Sequence, residues 1–370
     1  MVSQAIATHG VMEGGGSYNR YAKVPAGGGQ LAVPFLEEAA RNTTLEPEDG
    51  PLVIADYGSS QGKNSLAPMR AAIKTLRARV GSSRPILVVH IDQAENDFNT
   101  LFGVLHSDPE RYSLGDAKVF PSAIGRSFYE TVFPKGHVHL GWSSYAAVWL
   151  SRIPTTIPGH IVALASTGKV RAAFDRQGDE DWKFFLSLRA DELRPGGRLV
   201  VVLPGLNDDG EAGFEPLFAQ ANEVLAEMAS AGSITSEERA RMVLGACPRR
   251  RSQLLAPFSS GSQYCGLTVE RCELSPLPDD AWADYERDGK TEVLVKRHVG
   301  FFRSIFVPSL ATALQNTQRR QSFAEEVERR LERRLAERPT PYHSFTQTIV
   351  LAKGNQFPRS RCDKNNSAMI

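Results

Sequence analysis

Two aspartates stand where two apolar runs end. Asp56 closes the run Pro51–Ala55 within IADYGSSQGKN (54–64), and Asp92 closes Ile86–Ile91 within ILVVHIDQAENDFNTLF (86–102). A continuous apolar run predicts a strand buried on both faces of a parallel sheet. Gly58 and Gly62 allow a sharp turn after Asp56, and Leu66, Met69, Ile73 and Leu76 then recur at helical spacing. A strand, a glycine turn and a helix form the unit that holds a nucleotide-like cofactor at the mouth of a doubly wound sheet. The segment reads D-x-G-S-S-x-G and lacks the G-x-G-x-x-G of dinucleotide sites. An acid ahead of the first glycine suits a cofactor with an amino group or hydroxyls near the turn, as in S-adenosylmethionine. An acid ending the second strand can accept both ribose hydroxyls. A plain structural turn at the first acid and a cap at the second are the competing readings.

These residues need a sheet to position them, and strands alternate with helices along the chain. VHLGWSSYAAVWLSRIP (138–154) predicts a central strand over 138–140 and a short helical turn over 144–150. In FFLSLRADELRPGGRLVVVL (184–203) a helix stops at Pro195-Gly196-Gly197, and Leu199–Leu203 predicts another buried strand. Beyond Pro204, Phe214, Leu217, Phe218, Ala221, Val224, Leu225 and Met228 recur at helical spacing, and a second helical segment spans 236–244. No strand intervenes until YCGLTVERCEL (264–274), and Phe301, Phe302, Ile305 and Phe306 mark a further helical piece. An insertion that flanks a core strand must fold over one face of the sheet, so a cap over the ligand mouth is expected. Helix 319–338 carries the apolar stripe Phe323, Val327, Leu331 and Leu335, and its charges form i,i+4 pairs such as Glu325 with Arg329. AGGGQ (26–30) reads as a flexible connector, and the tail after Gly354 as a mobile segment.

The 370 residues carry a formal net charge of +1, which gives no basic field for nucleic acid. No run of about 18 apolar residues marks a membrane span, and no basic-then-apolar leader opens the chain. Cys247, Cys265, Cys272 and Cys362 lack C-x-x-C spacing and read as reduced thiols in a cytoplasmic protein. His137 and His139 lie two apart, but no third ligand follows at metal-binding spacing, so no metal is expected.

Five ordered stretches, MEGGGSYNRYA, IADYGSSQGKN, HIDQAENDFNTLF, IGRSFYETVFP and WSSYAAVWLSRIP, resemble the SABATH family of S-adenosylmethionine-dependent carboxyl methyltransferases over roughly residues 10 to 355. Its plant members act on salicylate, jasmonate and benzoate, relatives methylate purine-alkaloid nitrogens, and bacterial relatives include actinobacterial fatty acid methyltransferases. The resemblance implies a Rossmann-like class I methyltransferase fold, α/β with a mostly parallel seven-stranded sheet and an inserted helical cap. It implies S-adenosyl-L-methionine as cofactor, contacted by Tyr21, Asp56, Gly58, Ser60, Asn64, Asp92, Gln93, Ser127 and Phe128. Trp149 matches a tryptophan that hydrogen-bonds the substrate carboxylate, and Gln30 is the candidate second donor. Tyr145, Val148, Phe218, Phe302 and Phe306 join them around the substrate. The sequence departs from the family at Glu13 (usually lysine), at Ser59-Ser60-Gln61-Gly62-Lys63-Asn64 (C-S-S-G-P-N) and at Arg20-Tyr21-Ala22 (S-Y-A).

The expected organisation is a cofactor-binding core over 1–205, helical cap pieces over 206–262 and 285–317, a core strand over 263–284, a core helix and final strand over 318–355, and a tail over 356–370. The chemistry asks for no general base, because a carboxylic acid with a pKa near about 4 is already ionised at neutral pH. The indole N–H of Trp149 can only donate, which suits an anion. The Phe214–Met228 stretch holds no Arg or Lys for a second anionic group, and burying an octanoate-like chain contributes roughly 5 kcal/mol at about 0.8 kcal/mol per methylene. A medium-chain fatty acid is therefore the expected substrate. Methylation of an aromatic acid or of a heterocycle nitrogen are the alternatives, and a second copy of the chain is a candidate partner. A dehydrogenase of the Tyr-x-x-x-Lys type is disfavoured, since Trp149 stands four residues after Tyr145.

Overall fold

The structure, a computed structural model, describes residues 10–46 and 50–355. The C-terminal tail and Cys362 lie outside the described residues. One sheet contains β1 (Leu52–Tyr57), β2 (Ile86–Asp92), β3 (Val119–Gly125), β4 (Val138–Ser144), β5 (Leu193–Pro204), β6 (Gln263–Tyr264), β7 (Leu267–Pro276) and β8 (Phe345–Lys353). Their spatial order is β3-β2-β1-β4-β5-β8-β7-β6. β1 to β5 pair in parallel, and β8 runs antiparallel to both β5 and β7. The expected seven-stranded sheet is present, with the two-residue β6 added at its edge.

β1 explains why the apolar runs are continuous. Every residue in it is buried. Leu52 and Ile54 pack with Leu36, Met69 and Leu76 on one face, while Val53, Ala55 and Tyr57 pack with Phe185 and Val201 on the other, as the two-residue period of a strand requires. α1 (Ser17–Tyr21) leads into α2 (Lys23–Asn42), which covers the first face with α3 (Leu66–Val80). α4 (Phe98–Ser107) follows β2, and α5 (Gly168–Glu192) covers the second face. Helices α6 (Glu215–Ser230), α7 (Ser236–Arg241) and α8 (Arg251–Leu255) precede β6, and α9 (Asp280–Asp288), α10 (Thr291–Ala311) and α11 (Arg320–Glu337) precede β8. The stripe Phe323, Val327, Leu331 and Leu335 of α11 is buried. Arg334 of α11 pairs with Glu223 and Glu227 of α6, and Arg303 of α10 with Glu328 of α11, so these three helices form one layer.

Three local expectations are corrected. AGGGQ is no connector, because residues 26–30 lie inside α2. A Cβ on Gly28 would stand 2.3 Å from the Tyr145 hydroxyl oxygen, and one on Gly29 3.2 Å from Ser144 Oγ. The glycines let the helix approach the end of β4. The helical turn expected over 144–150 shrinks to one i,i+3 turn: β4 runs to Ser144, Tyr145 then adopts φ +57°, and Trp149 N–H donates to Ala146 O at 3.0 Å. Cys247 and Cys272 are free thiols, whereas Cys265 is disulfide-bonded. Among the described residues no helix is long and apolar enough to cross a membrane.

Candidate active site

At the C-terminal ends of β1, β2 and β4, where doubly wound sheets bind ligands, a cavity opens. The turn after β1 builds one part of its wall. Gly58 takes φ +93°, and a Cβ there would stand 2.1 Å from the Ala146 Cβ. Gly58 N–H and Ser59 N–H both donate to Ile91 O, at 2.8 and 3.1 Å. The turn is thereby tied to the end of β2, where Asp92 faces the cavity. Ser60 N–H donates to Asp92 Oδ2 at 2.7 Å, and Gln93 N–H to Asp92 Oδ1 at 2.8 Å. Each carboxylate oxygen thus keeps lone-pair capacity for a ligand hydroxyl.

Burial pushes the Asp92 carboxyl up to about 6; the nearby Asp56 carboxylate adds to this, and the two backbone N–H groups oppose it. Ser60 Oγ is buried without a hydrogen-bond partner among the described residues, and Gln93 and Phe128 line the cavity beside it. An acid, an unpartnered hydroxyl and an aromatic face fit the ribose, polar arm and base of a nucleoside cofactor.

The remaining wall is apolar. Val148, Trp149, Phe214, Phe218, Phe301 and Phe306 line it, with Phe218 and Phe306 edge to face at 5.1 Å and Trp149 6.0 Å from Phe306. Tyr145 also faces the cavity, and its hydroxyl hydrogen-bonds Thr346 Oγ1 at 2.8 Å. Burial holds its hydroxyl well above the ordinary phenol range, so the group stays neutral.

Several expected site residues lie elsewhere. Gln30 is exposed and outside the cavity. Counting across the glycines as an insertion placed it wrongly, because they continue the helix and bring Val24 and Pro25 to the cavity. Tyr21 packs on α10, where a Cβ on Gly300 would stand 2.3 Å from its ring. Asp56 is turned beneath the glycine turn: its Oδ2 accepts from Ser65 Oγ at 2.6 Å and contacts His90 Nδ1 at 2.8 Å, and His90 Nε2 meets the Tyr112 hydroxyl at 2.8 Å. Asn64 donates to Ala22 O at 3.2 Å, Ser127 Oγ accepts from Tyr129 N–H at 3.1 Å, and Phe302 is buried against Phe218 and Phe306. None of these lines the cavity.

Tyr18, which the sequence reading passed over, does line it. Its hydroxyl faces Asn64 and Asp92, and burial, followed by the Asp92 charge, raises it well above the phenol range. The dipeptide Ser17-Tyr18 was the available signal. Glu13, which stands where the family usually has lysine, accepts from Arg303 at 3.0 Å and Ser17 Oγ at 2.6 Å, and so fastens the N-terminal segment to α10. Among the described residues no three His, Cys, Asp or Glu side chains gather to hold a metal. His139 is committed elsewhere, accepting from Val53 N–H at 3.0 Å.

This strand order with a ligand mouth above β1, β2 and β4 defines a Rossmann-like class I methyltransferase fold. The model of the SAM-dependent carboxyl methyltransferase family matches residues 5–353, and the chain belongs to that family. It is 31% identical over 233 residues to methyltransferase LUC1 of a Fusarium species, covering 60% of this chain and 59% of that protein. It is 30% identical over 209 residues to loganic acid O-methyltransferase of Catharanthus roseus, covering 51% of this chain and 54% of the relative. The chain thus spans a little over half the length of these curated relatives. A solved structure of loganic acid methyltransferase with SAH has a TM-score of 0.74 at 23% identity, covering 93% of this chain and 99% of that one, which establishes the shared fold.

Proposed function

We propose that the protein transfers a methyl group from S-adenosylmethionine to the carboxylate of a small apolar acid, giving the methyl ester and S-adenosylhomocysteine. The observation that carries this reading is one continuous cavity lined at once by Asp92, Ser60 and Gln93 and by an aromatic and aliphatic wall containing Trp149. Asp92 would accept the ribose hydroxyls, Phe128 and Gln93 would flank the adenine, and Ser60 and Tyr18 would meet the polar arm. When bound, the cofactor would supply an electrophilic methyl on a sulfonium for the acid's carboxylate oxygen, with the sulfur keeping the electron pair of the broken bond.

The protein's task is placement. Tyr18 and Tyr145 stay protonated, and Trp149 N–H donates only, so none of these three acts as a base, and the Asp92 carboxylate is engaged by the Ser60 and Gln93 N–H groups. Trp149 would orient the carboxylate so that one oxygen stands about 3 to 3.5 Å from the methyl carbon, and the Phe wall would exclude water. A medium-chain fatty acid suits an apolar wall that, among the described residues, has no Arg or Lys to meet a second anionic group. An aromatic acid is the second reading, favoured by the ring cluster of Phe214, Phe218, Phe301 and Phe306.

A panel of fatty, aromatic and terpenoid acids with labelled methyl donor tests this. Ester formation with apolar monoacids in preference to dicarboxylates is expected. Failure to esterify any acid by a protein that binds S-adenosylhomocysteine would remove the reading.

A further inference from the structure

The segment carrying Trp149 belongs to no helix or long strand, yet three successive carbonyls in it are each gripped by a different partner. Arg249 Nη1 donates to Ala147 O at 2.8 Å, Cys247 N–H to Val148 O at 2.8 Å, and the Tyr129 hydroxyl to Trp149 O at 2.7 Å. Arg249 is 1% exposed. Its Nη2 donates to Gly178 O at 3.1 Å, its Nε has no hydrogen-bond partner among the described residues, and its side chain also faces the Tyr129 hydroxyl. Among the described residues no carboxylate stands within ion-pair distance of it. Asp179 and Asp181 act on it from farther away, and Asp181 is committed to Ser151 N–H, Ser151 Oγ and Gln177. The other side chain packed on it is the Trp182 ring.

A buried guanidinium held by main-chain carbonyls and facing the Tyr129 hydroxyl, with Asp179 and Asp181 acting on it only from beyond ion-pair distance, carries a desolvation cost that no ion-paired carboxylate among the described residues offsets. Arg249 sits directly behind 147–149, and Val148 and Trp149 form the cavity wall. An anion docked at that wall would relieve the cost. We infer that Arg249 is a positioning residue for the acid: through Ala147 and Tyr129 it fixes the Trp149 indole, and its charge favours an ionised ligand over a neutral one. The inference rests on Trp149 as the carboxylate donor.

The test measures binding of octanoate and of octanamide, isosteric but uncharged, to the protein saturated with S-adenosylhomocysteine. Wild type should prefer the acid. Arg249→Met should lower the acid-over-amide ratio about tenfold, while binding of S-adenosylhomocysteine alone stays within about twofold. Tyr129→Phe should weaken both ligands and keep the ratio, since it loosens the segment without removing the charge. Arg249→Lys should restore most of the ratio, because it keeps the charge without the forked donors. Equal losses of acid and amide in Arg249→Met would overturn the inference. Should that variant not fold, Arg249→Gln, neutral but still a donor, decides by the same ratio. Wild type with no preference for the acid would instead strike at the carboxylate reading itself.

Discussion

Replacing Asp92 by Asn should move stability and cofactor affinity in opposite directions. Burial first, and the Asp56 charge after it, raise the Asp92 carboxyl from 3.8 to about 6. A carboxyl with a higher pKa in the folded than in the unfolded chain binds more protons when folded. Stability is therefore lost as pH rises from near the unfolded value through the folded one, and the full cost is present above both. At roughly 1.4 kcal/mol per pH unit the displacement corresponds to about 3 kcal/mol. Asn carries no charge to bury, but it keeps a single oxygen for the two N–H donors of Ser60 and Gln93, and losing one of those bonds costs about 1 to 2 kcal/mol. The ligand-free variant should therefore gain about 1 to 2 kcal/mol at pH 7.5 but lose about 1 kcal/mol at pH 4, where most of the charge-burial cost is gone and the missing hydrogen bond remains.

Urea unfolding at the two pH values reads this term, and calorimetric titration with S-adenosylhomocysteine reads the other. If ribose hydroxyls donate to the ionised carboxylate as proposed, wild-type affinity should fall about tenfold between pH 7 and pH 5, following the ionised fraction of a group titrating near 6. Asp92→Asn should bind weakly with no such slope. A variant no more stable than wild type at pH 7.5, or wild-type affinity that is flat from pH 7 to 5, would refute the argument that desolvated Asp92 is kept for the cofactor.

Trp149→Phe keeps the apolar contact with Phe306 and removes the N–H, so kcat/KM for acids should fall about tenfold or more while S-adenosylhomocysteine titrates as in wild type. Gln30→Ala should leave ester formation and its KM unchanged, since the side chain is exposed outside the cavity; a large loss in steady-state kinetics would reinstate the sequence-based donor. Gly58→Ala sets a methyl against Ala146 at φ +93°, with backbone strain of about 1 to 3 kcal/mol, and should lower both the melting temperature and cofactor affinity. An unperturbed melting curve would show that the turn tolerates a side chain.

The parts of this molecule legible in the sequence are those set by local rules. Asp92 and Gly58 follow from apolar runs ending at a turn, Ser60 follows from the family resemblance, and the structure brings all three to the mouth of the sheet. The buried stripe of α11 follows from its period. Where a residue's role depends on something distant in the chain, local rules fail. Arg249 looks like one of three consecutive arginines, 249–251, yet Arg249 alone of them is buried, because the Ala147 and Gly178 carbonyls need a donor there.

The glycines of α2 make the same point about the site. By propensity three glycines in a row weaken a helix, so the run reads as a connector, and Gln30 then slides into the position of a ligand donor. In the fold the cost is accepted because Tyr145, held at φ +57° and tied to Thr346, fills the volume that any side chain at position 28 would need. Gly28 and Tyr145 are thus one device: α2 contributes a surface instead of a donor, and the polar group facing the cavity at that level comes from the end of β4. A single added methyl at Gly28 would have to displace the tyrosine that shapes the cavity, which is why the helix tolerates a poor helix former at that point and why counting residues across the glycines misplaces Gln30.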